Sequence, residues 1–129
     1  MDVMDARALV AAAASAAIAS HWDDALALAK AAIAIDEGSP RAWSLAGLAH
    51  EAKGALPEAR AALERAVSLD DQDLVTSLAC ARVQARLGAK SPARALASYV
   101  LLREHNAPAL RAEAQALVKS LSAPDERRP

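Results

Sequence analysis

Phenylalanine is absent from this 129-residue chain, and two Trp and one Tyr are its only aromatic side chains. A core must then come from aliphatic residues and alanine, and a hydrophobic content of 54% suffices for one domain. Cys80 is the single cysteine, which excludes an internal disulfide and leaves no thiol pair for zinc. It reads as a small buried hydrophobe in a reducing cytoplasm. No charge sign dominates: 15 basic against 16 acidic residues give a formal net charge of −1, so no global field draws nucleic acid or an anionic membrane. Long hydrophobic runs are also missing. The stretch "ALVAAAASAAIAS" is too short to span a bilayer, and "MDVMDAR" before it sets Asp2 and Asp5 against Arg7, where a secretion signal would be basic. A native helix is expected there.

What the chain does have is alanine and a period. Ala25, Ala59 and Ala93 stand 34 residues apart, and so do Ala32, Ala66 and Val100 and the set Ser20, Gly54 and Gly88. Pro40 and Pro108 are two periods apart. Alanine is the best helix former, so the repeat predicts an all-α array of stacked helical hairpins.

Each unit holds two helical segments. "PRAWSLAGLAHEAK", 40–53, has Ser39 as its N-cap and Pro40 in its first turn, and it stops at Gly54, which can take a left-handed conformation. "PEARAALERAVSL", 57–69, carries Ala59, Leu63, Ala66 and Val67 on one stripe. The small residues Gly47, Ala59 and Ala66 allow the two axes to approach closely. The leftover apolar edge of one hairpin is then buried by the next.

Trp43, Gly47, Gly54, Ala59 and Ala66 resemble the tetratricopeptide repeat family, whose 34-residue pattern places Trp, Leu-Gly, Tyr, Ala, Phe, Ala and Pro in that order. Ala46, His50, Leu63 and Asp71 stand where Leu, Tyr, Phe and Pro are usual. The first unit carries Trp22, Ala25 and Ala32; the third keeps Gly88 and Ala93, with Ser77 at the Trp position. The resemblance implies an α-solenoid of three hairpins at 6–39, 40–73 and 74–107, plus a capping helix at 108–122. Residues 123–129, "APDERRP", are expected to be disordered.

Chemistry-bearing motifs are missing. His21, His50 and His105 do not converge, "DDQD" at 70–73 lacks the mid-loop Gly and closing Glu of a calcium loop, and nothing pairs a nucleophile with a base. The chain is expected to be neither an enzyme nor a holder of metal or cofactor. With three aromatic side chains and no basic excess, no nucleic-acid partner is expected either.

The family resemblance implies that the first helix of each unit lines a concave groove that holds a protein or peptide segment. Mapped onto this chain, the groove takes Arg7, Val10, Ala14, Ala17 and Ile18 from the first unit. From the second it takes Arg41, Ser44, Leu48, Glu51 and Ala52, and from the third Val75, Leu78, Arg82, Ala85 and Arg86, with Lys119 at the end. Four arginines around small apolar residues suit a partner segment both acidic and apolar. A two-carboxylate clamp for chaperone tails is not expected, because the only Asn is Asn106, at a turn. Three roles follow: a cytoplasmic adaptor or scaffold, a dedicated chaperone like those of bacterial type III secretion, and a homodimer formed through the Ala-rich first helix.

Overall fold

The computed structural model describes residues 3–122; the tail 123–129 lies outside them. Among the described residues there are seven helices and no strand: α1 (Val3–Ile18), α2 (Trp22–Ile35), α3 (Pro40–Ala52), α4 (Leu56–Leu69), α5 (Leu74–Arg86), α6 (Lys90–Arg103) and α7 (Pro108–Ser122). Each helix packs on the next in sequence. The odd-numbered helices also touch one another, α1 on α3, α3 on α5 and α5 on α7, which makes them the inner layer of a solenoid.

The hairpin turns repeat with the sequence. After α1, α3 and α5 the backbone enters the left-handed region at Ser20 (φ 60°), Gly54 (φ 80°) and Gly88 (φ 84°). The next N–H in each case reaches back five residues, from His21 to Ala16, Ala55 to His50 and Ala89 to Gln84. The same Schellman closure therefore turns the chain at all three hairpins.

The turns between hairpins are tied by acidic side chains one period apart. Asp36 accepts from the Gly38 N–H at 3.1 Å and Asp70 from the Gln72 N–H at 2.9 Å, while Glu104 accepts from Asn106 and Ala107, both at 2.6 Å. Ser39 and Asp73 cap the helices that follow, accepting from Ala42 and Thr76. The acidic run at 70–73 is thus turn and cap chemistry.

A third tie changes its source. The Trp43 indole donates to the Glu37 carbonyl at 2.8 Å. One period on, Ser77 has no such donor, and the Tyr99 hydroxyl from α6 bonds the Asp71 carbonyl at 3.1 Å instead. Trp22 does not belong to this set. It opens α2, and the α1 residue one period before Trp43 is Leu9.

The core runs along the solenoid as linked clusters. Ala13, Ala29, Leu45, Ala46 and Ala62 form one; Ala59, Leu63, Ala79, Cys80 and Val83 form the next. Leu78, Val100 and Ala114 form the last, closed by Leu110 and Leu117 of α7. Each fully buried Leu or Val contributes about 1.5–3 kcal/mol, but most of these positions are alanines, so close approach of the helices supplies much of the burial.

Candidate functional site

The inner wall repeats five positions per unit. Arg7, Arg41 and Val75 mark its edge at the helix N-termini, and Ile18, Ala52 and Arg86 mark the opposite edge. Two recesses lie along it. One of about 560 Å³ has Arg7, Val10, Ala14, Asp36 and Arg41 among its walls. The second, of about 380 Å³, brings Ala17, Ile18, Arg41, Leu48, Asp73 and Val75 together from α1, α3 and α5. Arg41 stands at the junction of the two.

The exposed apolar side chains are the notable feature of this wall. Ile18 is 87% exposed and Val75 59% exposed, on opposite sides of half-buried Leu48. Large aliphatic residues are stable in such a position only at the cost of ordering water around them, about 25 cal/mol for each Å² left uncovered.

Several expected groove residues serve the wall's own structure. Leu78 is 1% exposed, because α7 packs across it and joins it to Val100 and Ala114. Ser44 is buried, and its hydroxyl is used in a 2.7 Å bond to Thr76 Oγ1, which itself donates to Asp73. Arg82 Nε and Nη2 form a fork with Glu51 at 2.5 and 2.7 Å, and Nη1 bonds Glu113 of α7 at 2.8 Å. The Glu51 carboxylate, with Glu113 beyond it, holds the Arg82 guanidinium protonated past its ordinary range against the opposing effect of burial. Arg82 and Glu51 are therefore an internal clasp between α3, α5 and α7, and they offer no free charge to a partner.

Arg7, Arg41 and Arg86 are exposed and have no ion-pair partner among the described residues. Arg86 stands outside both recesses, whereas Arg7 and Arg41 share theirs with Asp36 and Asp73. The channel is consequently less basic than four arginines suggest. Asp36 and Asp73, which form the turn and the cap beside these recesses, were not among the expected groove residues.

Beyond Arg82 a third recess of about 300 Å³ opens between α5 and α7, against Glu113, Ala116, Leu117 and Ser120. Burial, with Glu64 nearby, pushes the Cys80 thiol up to about 12, so it is not a nucleophile near neutral pH. Among the described residues no group of His, Cys, Asp and Glu could hold a metal ion, and no helix is long and apolar enough to cross a membrane.

Residues 16–78 match the tetratricopeptide repeat family. No curated protein sequence matches the chain. Among solved structures, the first tetratricopeptide domain of Spaghetti (RPAP3), bound to the HSP90 peptide SRMEEVD, superposes with a TM-score of 0.83 at 16% identity, over 95% of this chain and 98% of that one. The Arabidopsis OM64 tetratricopeptide domain gives 0.81 at 14% identity, over 93% and 99%. The Yersinia enterocolitica type III secretion chaperone SycD, in complex with a peptide of the translocator YopD, gives 0.79 at 15%, over 89% and 90%. With helical hairpins continuing past the matched segment into α5 and α6, the chain has the helical-solenoid fold of these tetratricopeptide domains.

Proposed function

We propose that this protein is an interaction module that holds a segment of another protein along its inner wall. The observation that carries the reading is the pair Ile18 and Val75, both largely exposed beside Leu48 in one recess. An apolar side chain of the partner seats there, and an acidic residue beside it reaches Arg41, with Arg7 beyond. Recognition rests first on apolar contact and second on charge, since Asp36 and Asp73 offset the two arginines.

The adaptor reading has one rival of a different kind, a dedicated chaperone for an exported subunit. Its support is the similarity to SycD in complex with a peptide of the translocator YopD and to PcrH in complex with the chaperone binding region of PopD. An adaptor recovers several partners of modest affinity, whereas a chaperone recovers one in stoichiometric amount. A homodimer through α1 is the third reading, and sedimentation across a wide concentration range tests it.

The test of the groove is Leu48→Glu combined with Val75→Glu, made on partly or fully exposed positions so that helicity stays at the wild-type level by circular dichroism. Capture from the native host followed by calorimetric titration of the recovered partner should show binding lost in the double variant. Unchanged affinity would refute the groove assignment.

A further inference from the structure

The outward face of α6 departs from its counterparts on α2 and α4. Ser91, Ala95, Ser98 and Leu102 recur at spacings of four, three and four, so they share one face of the helix. The same positions read Asp23, Ala27, Lys30 and Ala34 on α2, and Pro57, Ala61, Glu64 and Ser68 on α4. Charge is removed from the middle of the stripe and a leucine is added at its end. Leu102 is 77% exposed, with nothing among the described residues covering it.

The flanks of that stripe are cationic. Lys90, Arg94 and Arg103 are exposed and have no ion-pair partner among the described residues. Arg103 is held over the Tyr99 ring, 5.1 Å from its centroid. The one acidic residue of 74–107 is Glu104, whose carboxylate already accepts two backbone N–H groups. Lys90 also stands at the first position of α6, where the helix dipole disfavours a cation and where no acidic residue is present to offset it. Lys90 and Arg94 thus form no ion pair within the described residues, and Lys90 opposes the dipole of its own helix.

We infer that the outward face of α6 is a second docking surface, which takes an acidic amphipathic helix from another protein. Its apolar stripe lies along Ala95, Ser98 and Leu102, small enough for two helices to approach, and its carboxylates flank that stripe on Lys90, Arg94 and Arg103. The surface lies on the outer layer, so it does not depend on the groove reading above. A nucleic-acid ligand fits it poorly: base stacking needs an open ring, and the Tyr99 ring is covered by Arg103 while its hydroxyl is tied to Asp71.

The test uses a fluorescein-labelled synthetic helix carrying Leu at the matching four-three-four spacing with Glu on both flanks, and a control with Gln for every Glu. Anisotropy titration of the full chain should show binding of the Glu peptide that weakens with salt, and about tenfold or greater loss for Leu102→Glu and for Arg94→Glu with Arg103→Glu. The Gln peptide should bind at least as weakly, and Leu48→Glu should leave the affinity unchanged. All the α6 positions changed are exposed, and circular dichroism confirms folding. Failure of the wild-type chain to bind, or binding lost in Leu48→Glu and retained in Leu102→Glu, overturns the proposal. So does wild-type self-association by sedimentation that Leu102→Glu abolishes, since the occupant would then be a second copy.

Discussion

A Cβ added to Gly47 would lie 2.5 Å from Leu63 Cγ and 3.2 Å from the Leu63 backbone nitrogen, so α3 and α4 meet where one of them has no side chain. Leu63 is fully buried and cannot swing aside. One period earlier the facing pair is Ala13 and Ala29, and one period later it is Ala81 and Ala97. The central unit therefore fills the same gap with a glycine and a leucine that its neighbours fill with two alanines.

Gly47→Ala should accordingly cost about 1–3 kcal/mol by overpacking. Leu63→Ala alone should cost about 2–5 kcal/mol through the cavity it leaves. The double variant rebuilds the neighbouring pair and should cost clearly less than the sum. Urea titration of all three proteins measures the coupling, and strict additivity would disprove the contact.

Ser20 is a non-glycine residue in the left-handed region, at the position where Gly54 and Gly88 stand in the later hairpins. Ser20→Gly relieves about 1–2 kcal/mol of strain and costs about 0.4–1 kcal/mol of extra unfolded-state entropy. A net gain of up to about 1.6 kcal/mol should appear as a raised Tm in calorimetry. A lowered Tm would show that the serine is not strained.

The Arg82 clasp makes a separate forecast for α7. Arg82→Gln leaves the half-buried Glu51 without its fork and removes the tie to Glu113. Because the Arg82 side chain is 36% exposed, the global cost should be about 1–2 kcal/mol, short of a fully buried pair. Amide exchange should accelerate most in α7 and leave α1 and α2 as they were. Uniform acceleration along the chain would remove the clasp from its assigned role.

His50 supplies a pH dependence. Burial and the Lys30 ammonium, aided by Lys53 and opposed by Glu58, hold its pKa below the ordinary 6.5. The unfolded chain therefore takes up the proton first, and stability falls as pH drops through 6.5 toward the folded value. Glu64, lowered first by its bond to the Gln84 amide, acts in the same direction below about 4.5. His50→Gln, which copies Gln84 one period on, should flatten denaturation midpoints between pH 7 and the folded histidine's titration while leaving the more acidic loss intact. An unchanged slope there would count against His50.

The period made the architecture readable, because Ala25, Ala59 and Ala93 or Ser20, Gly54 and Gly88 report backbone geometry that every unit shares. Caps were equally legible: Ser39 and Asp73 act locally. The inner wall was only partly so. Which wall residues are free depends on partners a period or more away, as in Ser44 with Thr76 and Arg82 with Glu51 and Glu113. Leu78 could not be recognised as core because its cover, α7, belongs to no repeat. Trp22 misled because residue type was matched without register.

The two ties on the inter-hairpin turns differ in reach. Trp43 bonds a carbonyl 6 residues away, so that turn closes within a single helix start, but Tyr99 must travel back 28 residues and needs both α5 and α6 in place. Loop closure of the second kind is entropically dearer and slower. The solenoid thus acquires a direction of assembly: in pulsed exchange, protection of residues 37–69 should precede that of 71–103, and simultaneous protection would contradict it. A nascent chain would have its early units settled while the last hairpin still waited for its far anchor.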